Sequence, residues 1–320
     1  MSDTGLIMLG DRAVLEVGGA DAASFLSGML TNVLPVASAA NDVPVAPLAG
    51  LLTPQGKIIA EALLVPLADG GFLLDTPAAT LDELHKRLTM YRLRAAVTIT
   101  KRPDLHVAWS AAGNDAAAAG AAQGVVAAYS DGRTGLAPQA GAALDGFRVI
   151  AEGGSAVLQA SGDSAPGEGG ALGAQAHLEQ RVSAGIAECG IDFPGTSLFP
   201  HDVCWDLVGG VSFSKGCYVG QEVVSRMKHK TDVRRRVACL AGSGSVPAMG
   251  DDVRAGEALL GHVGAPVQEG EAGWRALAVL RLDKLARAVS AGQAVTCETA
   301  EVSVTAPQGA PYAVGAVEHA

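Results

Sequence analysis

Short apolar runs alternate with turn residues and with longer amphipathic stretches along the first hundred residues of the chain. Apolar positions two apart and bounded by glycine or proline are typical of strands, whereas apolar positions three to four apart are typical of helices. The pattern predicts strands at 6–9, 13–17, 71–75 and 96–99, a hairpin over 51–59, and helices at 21–30 and 79–90. Strands and helices are therefore expected to interleave.

The character of the chain changes after the basic triplet Arg234-Arg235-Arg236. Beyond it, glycine-rich turns separate short apolar runs at 237–240, 261–264, 275–282, 295–298 and 302–305. Several short strands with frequent turns are typical of a small β-barrel or sandwich. We therefore predict two units, residues 1–235 and a C-terminal β domain at 236–320.

The middle of the chain, residues 110–175, is rich in alanine and glycine. We predict loops or weak surface helices there, around a strand at 146–150, and then a helix at 175–188 and a polar loop at 189–205. Neither glycine-rich tract contains G-x-G-x-x-G between a strand and a helix, and G-x-x-x-x-G-K-[ST] is absent. Nucleotide binding therefore has no support from motifs.

Composition excludes further classes. The 320 residues are 49% hydrophobic, which is enough for well-formed cores, but the net charge is −10 and only 4% are aromatic. A direct nucleic-acid partner is therefore disfavoured. The N-terminus lacks a basic region followed by a long apolar run, and we find no stretch of about 18 apolar residues. We expect no membrane association and predict a cytoplasmic location.

The five cysteines are an odd number, spread singly along the chain, so we expect reduced thiols rather than a disulfide framework. No C-x-x-C pair is present. His201, Cys204 and Cys217 are conceivable metal ligands, but ordinary loop and core roles are favoured for them. We therefore predict no resident metal site.

The most distinctive stretch is VSFSKGCYVGQEVVSRMKHK, residues 211–230. It places Cys217 between two glycines, two residues after Lys215 and just before a predicted helix. A helix N-terminus and a nearby ammonium both favour a thiolate, and the glycines allow a close approach of a ligand to the backbone. The alternative is that Cys217 is a small buried hydrophobe and the glycines only form a turn.

This stretch resembles a signature of a known family when it is taken with three others: Leu30-Thr31-Asn32, Thr53-Pro54-Gln55-Gly56-Lys57 and Tyr91-Arg92-Leu93-Arg94. Their order and spacing are similar to those of the YgfZ family of folate-binding proteins, relatives of the glycine-cleavage T-protein. The resemblance implies an α+β, three-lobed, ring-like T-protein fold with two interleaved α+β subdomains and a C-terminal β-barrel. It also implies tetrahydrofolate as the cofactor. The implied activity is support of iron–sulfur cluster assembly or repair in selected [4Fe–4S] enzymes, including tRNA-modifying radical-SAM enzymes.

The resemblance also implies functional residues. Cys217 and Lys215 are expected to carry the chemistry, with Lys215 stabilising the thiolate. The expected folate contacts are Asn32, Glu61, Arg94, Arg181, Tyr218, Gln221 and Glu222. The expected partners are folate and iron–sulfur client enzymes or assembly factors.

The chain departs from the T-protein pattern where Ala60-Glu61 replaces a pair of aspartates and where Ser183 replaces an acid. These changes weaken the interpretation of the chain as an aminomethyltransferase. Two alternatives stay open: a folate-dependent aminomethyltransferase or demethylase that uses Glu61 or Asp75 as its acid, and an adaptor that binds client proteins and uses folate only as a stabilising ligand.

Overall fold

The computed structural model describes residues 6–37, 43–111, 119–133, 144, 146–159, 168–230 and 233–314. Within these ranges the chain is a mixed α+β protein whose strands form two five-stranded and two four-stranded sheets. No helix in the same ranges is both long and apolar enough to cross a membrane.

The strands are β1 (Ile7–Met8), β2 (Arg12–Gly18), β3 (Val45–Ala46), β4 (Leu48–Leu52), β5 (Ile58–Pro66), β6 (Phe72–Pro77), β7 (Thr98–Lys101), β8 (Leu105–Ser110), β9 (Val125–Asp131), β10 (Phe147–Glu152), β11 (Arg235–Ser243), β12 (Asp252–Ala255), β13 (Ala258–His262), β14 (Val267–Glu269), β15 (Gly273–Arg281), β16 (Val295–Cys297), β17 (Ala300–Glu301) and β18 (Ser303–Thr305). The helices are α1 (Ala22–Met29), α2 (Leu81–Tyr91), α3 (Ala156–Gln159), α4 (Glu168–Ala184), α5 (Gln221–Lys230) and α6 (Leu282–Ser290), and a 3₁₀ turn (Ala78–Thr80) precedes α2.

The first sheet is antiparallel and has the strand order β4-β5-β6-β2-β7. Helices α1 and α2 pack on it, because their apolar positions Phe25, Leu26, Leu84 and Leu88 are buried in one cluster with residues of its strands. The predicted hairpin and both predicted helices are confirmed. The helix spacing of these four residues is what makes each helix one-sided.

The second sheet has the order β1-β8-β10-β9-β3 and is antiparallel except for the β3–β9 pair. Strands β1 and β3 come from the first 46 residues of the chain, although their partners β8 and β9 lie much further along it. The chain therefore contributes strands β1 and β3 to the second sheet before it reaches the last strand of the first sheet. Two sheets built in this way cannot form independently of each other.

The C-terminal part contains the sheets β14-β15-β11-β18 and β13-β12-β16-β17. A bridge between Val263 and Ala278 joins the two, and Trp274 lies in their shared core. The strands predicted here are present, with shifted ends. Helix α6 was not predicted, because the strand assigned to 275–282 was extended into its first residue. The division of the chain at 235/236 stays a prediction.

The middle of the chain differs from expectation in two places. The helix predicted at 175–188 is α4, which ends at Ala184, so Glu188 lies in the following loop. Strand β9 lies within a tract that was predicted as loop. The rest of the alanine- and glycine-rich prediction, at 112–118, 134–143, 145 and 160–167, falls outside the described residues.

The start of helix α5 packs on the turn between β4 and β5. Gly220 has φ +84°, and a Cβ there would lie 2.7 Å from Thr53 O. Gly56, with φ +77°, approaches Val223 in the same way, at 3.0 Å. Two of the sequence motifs are therefore in contact, and both contacts depend on glycine because the left-handed region and the short distances exclude a side chain.

Buried ion pairs connect the first two sheets. Asp75 on β6 accepts hydrogen bonds from Arg12 Nε at 2.7 Å, Arg148 Nη1 at 2.8 Å and Tyr129 Oη at 2.8 Å. Arg12 belongs to the first sheet, whereas Arg148 and Tyr129 belong to the second. One carboxylate therefore links both sheets.

Glu188 is the centre of this network. It accepts a hydrogen bond from Arg133 and lies 3.5 Å from Arg12 Nη1, 3.8 Å from Arg181 Nε and 3.9 Å from Arg148 Nη2. Burial by itself raises the pKa of Glu188, but the surrounding guanidinium charges outweigh burial and hold that pKa well below its usual value. Glu188 is therefore an ionised carboxylate inside the protein.

Two aspartates extend the network. Asp131 pairs with Arg133 at 2.7 Å and with Arg148 at 3.0 Å. Asp192 is ion-paired with Arg181 and accepts a hydrogen bond from Ala265 N at 3.1 Å. Through Asp192 the network reaches the loop between β13 and β14 of the C-terminal part.

Glu61 on β5 lies beside the network and is only 2% exposed. Its Oε2 accepts a hydrogen bond from Cys189 N at 3.2 Å. Burial raises the pKa of Glu61 to about 7, and the negative charge of Glu188 adds to the rise. Glu61 is therefore a buried acid that titrates near neutrality.

We expect Gly220→Ala to lower the free energy of unfolding by about 2 kcal/mol, because alanine is strained at this positive φ and its Cβ meets a backbone carbonyl. The matched control is Gly216→Ala, where a Cβ meets nothing within 4 Å. Urea denaturation of both variants measures the difference. Equal losses in the two variants would contradict the packing described for Gly220.

We expect Glu61→Gln to stabilise the protein more at pH 8 than at pH 5. The folded pKa of Glu61 is raised, so the wild type loses stability as the pH rises from about 4.3 towards 7, on the order of 2 kcal/mol. Glutamine has no proton to lose. The pKa of Glu188 is held well below its usual value by the surrounding arginines, so Glu188 is ionised at both pH values.

Urea denaturation at both pH values measures this difference. The control is Glu257→Gln, at an exposed glutamate outside the network. A stability difference between Glu61→Gln and wild type that does not change with pH would show that Glu61 does not titrate in this range.

Candidate functional site

Cys217 lies in the connection that leads to helix α5 and is exposed, whereas three of the other four cysteines are buried and Cys239 is half-buried. The alternative reading of Cys217 as a buried hydrophobe is therefore wrong. The thiol is four residues before the first residue of α5. Its backbone neighbours on either side are fixed by contacts with helix α1.

Lys215 provides the first of these contacts. Its Nζ donates hydrogen bonds to Ser27 O at 2.9 Å, Leu30 O at 2.7 Å and Asn32 O at 2.8 Å. These carbonyls lie at and just after the C-terminal end of α1, where backbone acceptors lack partners within the helix. Burial lowers the pKa of Lys215 to about 8.

An ammonium group has three protons, and the three carbonyls use all of them. Lys215 therefore caps helix α1 and is not free to donate a hydrogen bond to a Cys217 thiolate. The prediction that Lys215 stabilises that thiolate directly is replaced by a role in holding the loop.

The second contact lies on the other side of the thiol, where Val219 N donates to Gly28 O at 3.2 Å. Further back, Ser212 N donates to Thr31 O at 2.9 Å, and Thr31 Oγ1 donates to Gly210 O at 2.7 Å. The segment from 210 to 219 is thus tied to the end of α1 at several points. Cys217 lies between two of them, with its side chain in solvent.

Asn32, predicted to contact folate, takes part in the same arrangement. Its Nδ2 donates to Leu48 O at 2.8 Å and to Gly209 O at 2.7 Å. Both amide protons are therefore used within the protein, and Oδ1 accepts a hydrogen bond from Val33 N. In this structure Asn32 joins the loop to strand β4.

The three predicted folate contacts that follow Cys217 have different environments. Tyr218 is 7% exposed, and burial raises the pKa of its hydroxyl to about 12. Gln221 is half-buried at the first position of α5. Glu222 has an 85% exposed side chain and pairs with Arg226 at 2.7 Å, one turn along the helix.

The remaining folate candidates lie elsewhere. Glu61 and Arg181 are each 2% exposed and belong to the buried network. Arg94 is exposed just after α2, next to Leu93, which has φ +47°. The predicted contacts are therefore divided among the Cys217 loop, the end of α1, the network and the end of α2, and their role as folate contacts stays a prediction.

Two other buried atoms do fit one edge of a pterin. Glu188 Oε2 is an acceptor and Arg12 Nη1 a donor, and neither has a hydrogen-bond partner in the part of the chain that the structure describes. They lie 3.5 Å apart. A pterin ring presents adjacent N–H and C=O groups, which such a pair complements. Bound folate would supply a one-carbon carrier at this position.

Sequence reasoning missed Glu188, Arg12, Arg133 and Arg148 and named Arg181 only as a folate contact, although a signal was present. Glu61, Asp75 and Arg148 each stand alone among apolar neighbours in a strand segment. A charged residue inside such a run is buried only when it is paired. Three isolated charges of both signs in predicted strands therefore indicate a buried ionic network.

The structure describes the surroundings of His201 and Cys204, two of the conceivable metal ligands. Cys204 Sγ lies 3.4 Å from Tyr312 Oη. Burial lowers the pKa of His201, and the positive charge of Arg236 lowers it further, whereas the negative charge of Asp206 raises it. No group of three or more His, Cys, Asp or Glu residues within the described ranges is arranged to hold a metal ion.

Comparison with a domain family and with a solved structure supports the fold. A model of the CAF17 C-terminal beta-barrel domain matches residues 234–312. The crystal structure of glycine cleavage system aminomethyltransferase T from Bartonella henselae superimposes with a TM-score of 0.64 and covers 95% of this chain and 85% of that one, at 16% identity. This likeness concerns the fold alone. The predicted α+β T-protein fold with a C-terminal β-barrel domain is confirmed.

Relatives found by sequence similarity specify the family more narrowly than the likeness in fold does. Human mitochondrial iron–sulfur cluster assembly factor IBA57 is 35% identical over 240 residues, which are 72% of this chain and 64% of that protein. Its mouse counterpart is 31% identical over 258 residues, 76% of this chain and 67% of that protein. The chain thus spans less than two thirds of the human protein.

These relatives correct two predictions. The T-protein-like superfamily is supported, but the narrower assignment to YgfZ is not. The predicted cytoplasmic location is contradicted, because the relatives are mitochondrial proteins. On the identity and coverage of the mouse protein, the chain belongs to the family of IBA57 iron–sulfur cluster assembly factors.

Proposed function

We propose that this chain supports assembly or repair of iron–sulfur clusters and that Cys217 is the group that meets the cluster or its carrier. The observation that carries the proposal is the exposed thiol held between two anchors, Lys215 and Val219, on the end of helix α1. A thiol presented in this way is accessible to a macromolecule. The clients we propose are selected [4Fe–4S] enzymes, including tRNA-modifying radical-SAM enzymes.

The geometry favours contact with a cluster over acid–base chemistry. Lys215 is occupied by carbonyls, so no described side chain is positioned beside Cys217 as a proton acceptor in the way that nucleophilic catalysis requires. A cysteine thiolate is the ordinary ligand of iron in such clusters. Cys217 is therefore proposed as a transient ligand, with Lys215 as a positioning residue.

The aminomethyltransferase alternative is disfavoured by the positions of its acids. Asp75 accepts hydrogen bonds from two arginines and a tyrosine, and Glu61 is 2% exposed beneath Cys189. A catalytic acid must reach the substrate within hydrogen-bond distance. Both carboxyls are engaged in hydrogen bonds within the protein, which disfavours either of them as the acid.

Folate binding is a second proposal, supported by the T-protein fold and by Glu188 Oε2 and Arg12 Nη1, an ion pair in which neither atom has a hydrogen-bond partner among the described residues. These atoms would orient the pterin ring, with the acceptor on a ring N–H and the donor on a carbonyl. The network around them fixes both groups in place. The proposal concerns binding only, and no reaction of the folate is inferred.

We expect Cys217→Ala to fail to restore [4Fe–4S] enzyme activity in cells that lack the native gene, leaving it near the level of the deletion strain. The physical reason is that alanine removes the proposed ligand from an exposed position with little cost to packing. Client enzyme activity per cell, with expression checked by immunoblot, is the measurement. Cys239→Ala, at a half-buried cysteine in β11, is the control and should restore activity.

Full restoration by Cys217→Ala would overturn the role of the thiol. The adaptor alternative, in which the chain acts only by binding its clients, would then stand in its place.

We expect tetrahydrofolate to bind the purified full chain, measured by calorimetric titration under anaerobic conditions. The control ligand is p-aminobenzoylglutamate, which lacks the pterin and so cannot use Glu188 and Arg12 as proposed. Its affinity should be at least about tenfold weaker, since each hydrogen bond to a charged group contributes about 1.5–3 kcal/mol. Absence of heat with tetrahydrofolate itself would remove folate from the function.

A further inference from the structure

Three glycines of this chain are not required by the fold. A fold requires glycine where the backbone has a positive φ or where a Cβ would collide with a neighbouring atom. Of the glycines whose surroundings the structure describes, only Gly10, Gly28 and Gly216 meet neither condition, and a Cβ at each would meet nothing within 4 Å. Gly28 and Gly216 both adjoin the exposed thiol, so their role is to be sought there.

Gly28 of helix α1 lies beside the thiol because the loop is tied to it. Its carbonyl accepts the hydrogen bond from Val219 N at 3.2 Å. The preceding carbonyl, of Ser27, accepts a hydrogen bond from Lys215 Nζ at 2.9 Å. Lys215 and Val219 lie on the two sides of Cys217, so adjacent residues of α1 hold the loop before and after the thiol.

Glycine at position 28 has a cost. Inside a helix it is less favourable than alanine, because the unfolded chain has more backbone conformations to lose. Helix α1 has only 8 residues and therefore has little helical stability to spare. The open space at the missing Cβ shows that a side chain would fit at this position.

Gly216 directly precedes Cys217 and is exposed. A Cβ at Gly216 would also project into open space, and the backbone there does not have a positive φ. Both glycines therefore leave empty a volume next to the thiol that ordinary side chains could occupy.

The rest of the outward face of α1 is made of short side chains. Ala23 and Ser24 are exposed and Ser27 is half-buried. Together with Gly28 they follow the spacing of one helix face. The three longer side chains of α1 pack against the core of the first sheet instead. The surface of α1 beside the thiol is therefore low.

We infer that Gly28 and Gly216 keep a clearance around Cys217 and thereby allow a rigid reactant wider than the thiol to reach its Sγ. The inference rests on the proposed function of that thiol. An iron–sulfur cluster is a compact inorganic body that is held by several ligands. When one of its iron atoms approaches Sγ, its other atoms approach the backbone on either side of the thiol. Side chains at 28 and 216 would occupy that space.

Loop flexibility is the other role that glycine could have here, and it does not account for both positions. A hinge glycine at 216 could let the thiol move. Gly28, however, lies within the hydrogen-bonded helix α1 (Ala22–Met29), where the extra backbone freedom of glycine is not used. Clearance accounts for both glycines.

The test compares two maleimides of different width on the full chain: N-ethylmaleimide and a maleimide carried on a gold nanoparticle. Loss of the unmodified Cys217 peptide, followed by mass spectrometry, gives both rates. Gly28→Met should slow the gold reagent about tenfold or more and change the rate of N-ethylmaleimide less than about threefold. The matched control, Gly10→Met, adds the same side chain in the exposed turn between β1 and β2 and should change neither rate.

Stability and function should change in opposite directions at position 28. Gly28→Ala should raise the urea midpoint, because alanine is the better helix former. Methionine has nearly the same helix propensity, so Gly28→Met should keep at least the wild-type midpoint. In cells that lack the native gene, Gly28→Met should nevertheless restore only about a tenth of the wild-type [4Fe–4S] enzyme activity, whereas Gly10→Met should restore all of it. A merely structural role would lower stability and activity together.

Equal rates with the gold reagent in Gly28→Met and the wild type would overturn the inference, as would full restoration of client activity by Gly28→Met. At position 216, methionine should slow the gold reagent and alanine should not. Equal slowing by both substitutions would assign Gly216 to loop flexibility and remove it from the inference.

The maleimide rates do not depend on client activity. They therefore still test the clearance if Cys217→Ala restores that activity and the proposed role of the thiol fails. Failure of the clearance alone would appear as full client activity with Gly28→Met but not with Cys217→Ala.

Discussion

The fold depends on a carboxylate, Glu188, that is buried among guanidinium groups from four parts of the chain. Moving an isolated carboxylate out of water costs several kcal/mol even after relaxation. The cost is offset only when Arg12 from β2, Arg133 just after β9, Arg148 from β10 and Arg181 from α4 are all in place. Loss of one partner from such a buried cluster costs about 3–5 kcal/mol. The two interleaved sheets and α4 are therefore held in one arrangement.

This constraint extends outwards to the thiol. Glu61, beside Glu188, holds the backbone at Cys189, and the following residues hydrogen-bond to the start of β5 through Thr196 and Leu198. Strand β5 begins at the turn on which Gly220 packs. These hydrogen bonds and packing contacts connect the buried ion-pair network to the loop that carries Cys217. Glu61 and Asp75 are the carboxyls that a transferase would use as acids. In this structure they form buried hydrogen bonds that hold the backbone at Cys189 and join the first two sheets.

Sequence patterns reached the fold but only part of the site. Periodicity located the hairpin at 51–59 and the helices at 21–30 and 79–90, because each has one apolar face and marked ends. The candidate thiol and the turn glycine at 220 also followed from local pattern, whereas the choice between an exposed and a buried Cys217 came from the structure. The role of Lys215 did not, because its three acceptors lie more than 180 residues away in sequence. Pairings across such distances leave no local signal.

The exposure of Cys217 bears on how a cluster is handled. Cysteine-ligated clusters take four protein ligands, and within the described residues no group of three or more suitable side chains is assembled. In the proposed role of Cys217, this thiol supplies one ligand of a cluster, and we propose that the others come from a second molecule. The affinity and orientation of that molecule then depend on contacts outside the thiol.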